Sequence, residues 1–372
     1  MIRVNFFRSI IYLLAIVSVL FLSGCIGGFE DNSLNGETRV IIDSYNREVQ
    51  VPNNVERVVC QGSGALRYLT YLEGTDMVVG VESNEHRDDQ MKKPYLQANP
   101  HLSNLPSIGE FRGNTDPERI MMVEPDIIFW VDPPSSSDAN QLQSRTGIPV
   151  VALEYGNFWT YRESLDNSLR LMGEVIGNQE RPEEVISFFD NKIDDLNERT
   201  ADISKSDKES VFIGGVAHRG PHGFQSTQPE YPPFEFLNAN NVARDMGTEQ
   251  AHVSKEAIVD WDPEIIFVDA STHETTPSAI HELESDPSYR SLSAVEEGEV
   301  YQVLPYNSYN TNFGTLLANS YYIGTILYPD EFDDIDPDKK ADEIYEFLVG
   351  SPVYNQISEE FYQGGFQKVS VR

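Results

Sequence analysis

The chain is 372 residues long and carries a net charge of −33, with 27 lysines and arginines against 60 aspartates and glutamates. This length is sufficient for two domains, each with a core of its own. The charge argues against a nucleic-acid partner, because binding to phosphates requires a basic surface.

The N-terminus has the pattern of an export signal. Arg3 and Arg8 precede an apolar run at 10–22, and small residues then lead into Cys25. This arrangement resembles the lipobox of prokaryotic lipoproteins, which implies a signal peptide at 1–24, cleavage before Cys25 and lipid on its sulfur. The alternative is an uncleaved membrane helix, but the apolar run is short for a span. Both interpretations place the rest of the chain outside the cytoplasm, attached to a membrane.

The segment 25–38 is rich in glycine, asparagine and acidic residues, which predicts a flexible tether. Cys60 is the one cysteine beyond Cys25. The mature chain is therefore expected to have no internal disulfide between unmodified cysteines, and its folded part depends on ordinary apolar cores.

Residues 39–160 alternate between apolar strands and helices. Strands rich in valine and isoleucine, separated by helices, are typical of a parallel α/β lobe with ligand loops at one edge. A hairpin is predicted at the start of the lobe, at 39–51. The other predicted strands lie at 57–60, 77–81, 126–131 and 149–153, and the predicted helices at 65–72 and 137–145.

Residues 161–205 contain no predicted strand. Their apolar spacing predicts one helix at 161–176 and a second that starts at Arg181 and ends near Arg199, with Pro182 in its first turn. We interpret this span as a rigid helical bridge between two lobes, not as a flexible hinge.

Residues 206–372 predict a second α/β lobe. Its strands are expected at 210–214 and 299–304, with a third inside the repeat described next. The expected helices begin at Pro232 or lie at 313–327 and 337–349, the last with Asp336 as its N-cap.

Two distant segments, 116–129 and 254–267, share one pattern. Each has a polar helix start, a glutamate in the first turn of a short helix, an acid-Pro-acid break and an apolar strand. One copy in each half indicates two similar lobes and not a solenoid. Two matched lobes usually enclose a cleft, and a cleft between domains commonly binds a ligand.

The order and spacing of several motifs resemble the family of substrate-binding proteins that deliver iron–siderophore, haem and cobalamin chelates to ABC importers. The resemblance covers nearly all of the mature chain. It implies two lobes joined by a stiff helix, which close only slightly on their ligand. The motifs that carry it lie at 55–59, 78–81, 124–128, 147–150 and 261–266.

The same resemblance implies that one glutamate on each lobe docks onto arginines of the permease dimer. Glu118 and Glu256 match those positions, in the same place of each repeat. An acid in the first turn of a helix also complements the helix dipole, which is the alternative interpretation of either residue alone.

The loops that follow the strand C-termini are the expected ligand cleft of parallel α/β lobes. Aromatic rings in these loops suit stacking on a large planar or catechol-like ligand, and arginines suit the carboxylates of an anionic chelate. Trp159, beside a helix start, is the ring most expected to be structural instead. The candidate ligand-binding residues are Ser63, Arg112, Trp130, Tyr155, Phe158, Trp159, His218, Arg219, His222, Tyr306 and Tyr309.

His218 and His222 flank Arg-Gly-Pro in one loop, so both rings are able to face one point. Imidazole completes the coordination of a chelated iron or nickel ion, which predicts a metal contact through a bound chelate. Loop histidines that only donate or accept hydrogen bonds are commoner, and this remains the competing interpretation.

These patterns predict a monomeric, extracytoplasmic chelate carrier with no intrinsic cofactor, which works with an ABC permease dimer. An iron(III) complex is the first candidate for the cargo, and a cobamide, haem or nickel chelate are alternatives. A surface-anchored metal-dependent enzyme or chelatase that uses His218 and His222 is a second hypothesis, although no enzyme motif supports it. A structural surface protein is a third, and it predicts no cleft.

Overall fold

The computed structural model describes residues 38–86, 93–110, 116–247, 250–361 and 363–371. The predicted signal peptide, Cys25 and nearly all of the predicted tether lie outside these ranges, as does Arg112. Residues Thr38–Arg372 form one unit, and this unit contains two separate parallel sheets. The predicted two-lobed α/β fold is therefore confirmed.

The first sheet is formed by short strands whose side chains are buried on both faces, as in other parallel sheets. The strands of this half are β1 (Thr38–Ile42), β2 (Glu48–Pro52), β3 (Val58–Gln61), β4 (Val78–Gly80), β5 (Ile127–Val131) and β6 (Val150–Leu153). Strands β1 and β2 form the predicted antiparallel hairpin. The sheet has the order β4-β3-β5-β6, and all its pairs are parallel.

The helices of this half are α1 (Ala65–Tyr71), α2 (Pro94–Ala98), α3 (Pro117–Met122) and α4 (Ser136–Thr146). Side chains cap α3 and α4 by accepting from free backbone N–H groups of the first turn. The Asp116 side chain accepts from the backbone N–H groups of Glu118 and Arg119 at the start of α3. Ser135 caps α4 in the same way through Asp138.

Two long helices connect the halves, as the sequence predicts. They are α5 (Arg162–Ile176) and α6 (Glu180–Thr200), with Gly177 in a left-handed conformation between them. Arg170 of α5 forms hydrogen bonds of 2.6 and 3.0 Å to the carboxylate of Glu183 in α6, which holds the two helices side by side.

The second sheet also presents its parallel strand ends on one edge. The strands of this half are β7 (Ser210–Gly214), β8 (Ser226–Thr227), β9 (Asn240–Asn241), β10 (Ala251–His252), β11 (Ile265–Asp269), β12 (Val300–Val303) and β13 (Gln367–Lys368). The sheet order is β13-β12-β11-β7-β9, in which only β13 is antiparallel to its neighbour.

The helices of the second half include several short ones that the sequence pattern does not predict, at 279–297 and 354–361. The set is α7 (Pro232–Phe236), α8 (Lys255–Trp261), α9 (Ala279–Ser285), α10 (Pro287–Arg290), α11 (Ser293–Glu297), α12 (Phe313–Leu327), α13 (Pro337–Val349) and α14 (Tyr354–Phe361). Single 3₁₀ turns lie at Thr75–Met77, Ser83–His86, Pro100–Asn104, Lys205–Asp207, Arg244–Met246 and Ala270–Glu274. Asp336 caps α13 as predicted.

The last helices also contact the first half of the chain. Helix α13 packs against α1 and α2, and α14 packs against α2. The side-chain amide of Asn99 donates to the carbonyl of Val349 at 3.3 Å. Because of these contacts, α13 and α14 add to the bridge formed by α5 and α6, and the lobe boundaries assigned from the sequence remain predictions.

One continuous apolar core runs from the first sheet through the bridge to the second. Its centre is an aromatic cluster in which Phe158 contacts Phe189, Phe236 and Phe313, with ring centroids 4.8–6.1 Å apart. A smaller core covers the opposite face of each sheet. The described part of the chain contains no membrane-spanning helix.

Candidate functional site

The loop after β12 leaves the second sheet and contacts the first lobe. We call residues 306–312 the cross-lobe loop. Within it Tyr309 reaches Glu82, Asn310 reaches the carbonyl of Ser63, and the carbonyl of Thr311 accepts from Tyr155. The two sets of strand C-termini therefore meet at this loop.

Arg67 of α1 is the centre of these contacts. Its side chain is buried, with 1% of the residue exposed. It donates to the Tyr155 hydroxyl at 2.7 Å, to Asn312 Oδ1 at 3.0 Å and to the Ser308 carbonyl at 3.0 Å. Two longer bonds of 3.3 Å reach the Tyr309 carbonyl. One guanidinium thus joins Tyr155 of the first lobe to three residues of the cross-lobe loop.

Tyr155 is held by the protein itself. Its ring stacks on Tyr68 with the centroids 4.7 Å apart and the planes 4° from parallel. Its hydroxyl accepts from Arg67 and donates to the Thr311 carbonyl at 2.6 Å. Burial raises the pKa of this hydroxyl, and Arg67 opposes the rise. The ring is therefore already stacked, and its hydroxyl is already hydrogen-bonded in both directions.

Tyr309 is held by charged groups of the first lobe. Its hydroxyl contacts Glu82 Oε2, and the Lys93 ammonium lies 4.5 Å from its ring centroid. Lys93 also donates to Glu85 at 3.2 Å, and Glu85 accepts from Tyr95 at 2.9 Å. Burial lowers the pKa of Lys93 to about 8 against the opposing effect of Glu85.

The remaining predicted rings differ strongly in exposure. Tyr306 is buried and its hydroxyl contacts Gln228 Oε1. Phe158 lies in the aromatic core, and Trp130 packs in the smaller core of the first lobe. Trp159, expected to be the structural ring of the set, is instead 40% exposed. Its backbone N–H donates to Asn157 Oδ1 at 2.9 Å.

The strand ends of the second lobe are also held by internal hydrogen bonds. Asp269, at the end of β11, accepts from the Ser271 backbone at 2.8 Å, and burial raises its pKa to about 6. The Asn307 side-chain amide donates to the Ala217 carbonyl at 3.1 Å. This contact ties the cross-lobe loop to the loop after β7, where the two predicted histidines lie.

Comparison with known proteins identifies the family to which this two-lobed fold belongs. The family model described as "Periplasmic binding protein" matches residues 58–306, which include the first sheet, helices α5 and α6 and every strand of the second sheet except β13. The chain belongs to the periplasmic binding protein family.

Three relatives show how this binding protein compares with others. The molybdate-binding protein MolA of Haemophilus influenzae is 24% identical over 331 residues, which are 83% of this chain and 90% of MolA. The uncharacterised ABC transporter substrate-binding lipoprotein YvrC of Bacillus subtilis is 22% identical over 88% of this chain and 99% of its own. The iron-uptake system-binding protein of Bacillus subtilis is 22% identical over 50% of this chain and 56% of its own.

The structure of MolA bound to molybdate superposes with a TM-score of 0.64 at 22% identity, over 84% of this chain and 98% of that one. This likeness confirms the fold of this binding protein. Membership of the family further identifies the chain as the substrate-binding component of an ABC transporter, and not as an enzyme.

The imidazole of one predicted histidine of this binding protein is hydrogen-bonded within its own loop. His222 Nε2 lies 2.8 Å from the backbone carbonyl of His218, a hydrogen bond that closes the loop. The exposed Arg219 between them has a φ of 56°. Among the described residues, no group of three or more His, Cys, Asp or Glu is arranged to hold a metal ion. His222 therefore fits the hydrogen-bonding interpretation, and a metal contact of either histidine through a bound chelate remains a prediction.

The two predicted docking glutamates occupy equivalent places. Glu118 and Glu256 both lie exposed in the first turn of α3 and α8. The equivalence extends to the caps, because Asp116 and Ser254 each accept from the backbone of the first turn. The structure thus places one exposed acid on each lobe in a matching local setting.

Pattern reading did not single out the polar residues that join the lobes. These residues are Arg67, Glu82 and Lys93, which contact the cross-lobe loop. One signal was present for Arg67, since it stands in the buried helix sequence 65–71 and a buried cation requires hydrogen-bond partners. The identity of those partners is not visible in the sequence, because Asn312 is 245 residues away.

Proposed function

We propose that this chain captures a compact metal-containing cargo and delivers it to an ABC permease, with a metal oxyanion such as molybdate as the first candidate. The observation that carries this proposal is that most of the candidate aromatic side chains already contact other parts of the protein. Tyr155, Phe158, Tyr306 and Trp130 are occupied by internal stacking, core packing or hydrogen bonds. A broad planar ligand would have to displace those contacts before it could stack.

Polar residues that are open to solvent lie at the ends of the strands. Ser63, Asn307, Ser308 and Asn310 are partly exposed there. Neutral donors of this kind suit a small oxyanion, whose oxygens are strong acceptors. The molybdate-binding relative supports the same cargo class.

A ferric chelate, which the sequence analysis placed first, is the second candidate here. Trp159 and Tyr161 are exposed on the loop after β6, and Arg219 is exposed on the loop after β7. An aromatic surface and a guanidinium are the groups that an anionic catechol-like chelate would use. The iron-uptake relative favours this candidate, while cobamide, haem and nickel chelates have no further support from the side chains described.

The cargo is tested by calorimetric titration of the detergent-solubilised full-length chain. The panel is molybdate, tungstate, a ferric catecholate, haem, a cobamide and nickel–histidine, with sulfate and phosphate as controls for simple anion binding. We expect molybdate and tungstate to bind saturably with one-to-one stoichiometry. We expect sulfate and phosphate not to bind. Binding of the ferric chelate alone would select the second candidate. If no metal complex binds, the cargo proposal is wrong.

Delivery is proposed to use Glu118 and Glu256 as contacts to the permease. Two exposed acids in matching first turns would orient the carrier on a receptor with two similar halves. The relatives are extracytoplasmic binding proteins of ABC transporters, which supports a monomer that shuttles cargo to a permease dimer at the outer face of the cytoplasmic membrane.

The membrane attachment is proposed to be lipid on Cys25. The lipobox-like sequence at 22–25 supports it, as does the lipoprotein description of the YvrC relative. One experiment tests it. Cys25→Ala should release the protein from the membrane fraction and abolish incorporation of labelled palmitate, and retention of both would show that the attachment is of another kind.

A further inference from the structure

The cross-lobe loop has a backbone that local energetics disfavour. Tyr309 and Asn310 are consecutive residues with φ of 54° and 72°. Residues other than glycine rarely adopt this left-handed region, which is unfavourable for a residue such as tyrosine unless its surroundings impose it. Two such residues in sequence therefore require contacts that hold them.

Those contacts come from the other lobe. The Arg67 guanidinium donates to the carbonyls of Ser308 and Tyr309, which lie directly at the left-handed turn. Its Nε donates to Asn312 Oδ1, and the amide of Asn312 in turn donates to the carbonyl of Ser308 at 3.2 Å. The turn is thus bracketed on both sides by bonds that originate at one buried side chain.

The hydrogen-bond partners of Arg67 in the structure are neutral. They are two carbonyls, an amide oxygen and the Tyr155 hydroxyl. A buried cation without such acceptors would be strongly disfavoured. Separation of the lobes would remove the three acceptors of the cross-lobe loop together, so the position of the lobes and the shape of the loop depend on the same group.

The geometry points to Arg67 as a positioning residue for cargo binding, which holds the cross-lobe loop in its strained form while the lobes are together. The inference rests on the proposed function, because the loop follows β12 at the cleft edge and carries Asn307 and Ser308. A loop ordered in advance binds without an ordering cost. Lysine cannot replace arginine here, since its single ammonium cannot reach several acceptors in a planar fork.

The test compares Arg67→Lys with Arg181→Lys in the detergent-solubilised full-length chain. Arg181 is a matched control, because it is also buried and donates to backbone carbonyls of both halves, at Tyr71 and Phe347. Amide hydrogen exchange is followed by mass spectrometry on peptides that contain 307–312. We expect these peptides to exchange about tenfold faster or more in Arg67→Lys, and to be unchanged in Arg181→Lys.

A second readout uses whichever cargo binds the unaltered protein. Arg67→Lys should weaken its affinity by about tenfold, because the competent loop form becomes a minor population, whereas Arg181→Lys should leave affinity within a factor of two. Unchanged loop exchange in Arg67→Lys overturns the inference, and so does unchanged affinity.

The two proposals can fail separately. The exchange measurement needs no cargo, so an empty titration panel defeats the cargo proposal while loop protection still decides the role of Arg67. Should Arg67→Lys fail to fold, Asn312→Ala removes the Nε acceptor while the buried cation stays, and the same loss of loop protection is expected. Full protection in that variant counts against the inference.

Discussion

Gly64 and Tyr155 are in such close contact that no side chain fits between them. A Cβ atom built on Gly64 would lie 2.2 Å from Cε2 of the Tyr155 ring, and the φ of Gly64 is 90°. The glycine therefore lets the turn after β3 approach the ring of Tyr155, whose hydroxyl accepts a hydrogen bond from Arg67.

Gly64→Ala should destabilise the fold markedly. The methyl group would displace the Tyr155 ring, and overpacking of this kind costs roughly 1–3 kcal/mol in addition to the left-handed backbone cost. The matched control is Gly147→Ala, since Gly147 has a φ of 72° but nothing within 4 Å of a built Cβ. Urea denaturation measures both free energies of unfolding. Equal losses in the two variants would mean that the Tyr155 ring yields without cost.

Asp126 and Glu264 anchor in the same way the first strand in chain order of each parallel sheet, which is β3 or β7. Asp126 Oδ2 accepts from the backbone of Glu56 and Arg57 at 2.8 Å, and Glu264 Oε2 accepts from the backbone of Ser210 at 2.6 Å. Substitution of either residue by alanine should lower the free energy of unfolding by about 1 kcal/mol. The reason is that partly exposed backbone N–H groups lose an ionised acceptor, which water replaces only in part.

The control for this pair is Asp76→Ala, which alters an exposed aspartate whose side chain has no hydrogen bond to another described residue. Its stability should stay within about 0.5 kcal/mol of the parent. Chemical denaturation of the three variants checks the prediction. A stability equal to that of Asp76→Ala would show that the two carboxylates contribute nothing to strand anchoring.

The docking role predicts a separation of transport from binding. Glu118→Ala combined with Glu256→Ala should reduce uptake in proteoliposomes by about tenfold or more, because charge pairs at an interface govern orientation and encounter. Cargo affinity should stay within a factor of two, since both residues are exposed in the first turns of α3 and α8 and neither belongs to the cross-lobe loop. Glu163→Ala, an exposed first-turn glutamate of α5, is the control. Uptake equal to that of the control would refute the docking role.

The lowered pKa of Lys93 predicts that the folded protein becomes more stable as the pH rises above 8. Its folded-state pKa of about 8 lies below the ordinary value of 10.5, with burial as the main cause. Between these values the unfolded chain holds the proton and the folded chain does not, so raising the pH favours folding. Below pH 8 both states are protonated and the burial penalty is fully present.

The measurement is the difference in unfolding free energy between the parent and Lys93→Met from pH 7 to 10. This difference should move in favour of the parent by on the order of 1 kcal/mol per pH unit above pH 8. The window ends near pH 10, where ordinary tyrosines begin to ionise. A pH-independent difference would indicate that Lys93 keeps its proton in the folded state.

Local patterns predicted most of the elements. The strands at 210–214 and 265–269 and the helices at 313–327 and 337–349 have their expected places, because continuous apolar runs and helical periodicity report burial directly. The repeat predicted two equivalent lobes, since helix start, acid and strand recur in the same order. The short helices α9, α10 and α11 were missed because each is too brief to show a period.

The candidate site was predicted less completely. Strand order correctly indicated the loops that meet, since parallel strands end on a common edge. It did not distinguish the ring of Tyr155, which is stacked on Tyr68, from that of Trp159, which is exposed. Both residues follow the same strand, and only the packing of a neighbouring helix separates them.

The sequence by itself determined the class of fold, its duplication and the family, because these depend on local periodicity and on motifs read within short windows. Tertiary structure alone decided that Arg67 joins the lobes through Tyr155, Asn312 and two backbone carbonyls. The physical reason is that hydrogen bonds across about 240 positions of chain depend on how the two halves pack together, and no local pattern records that arrangement.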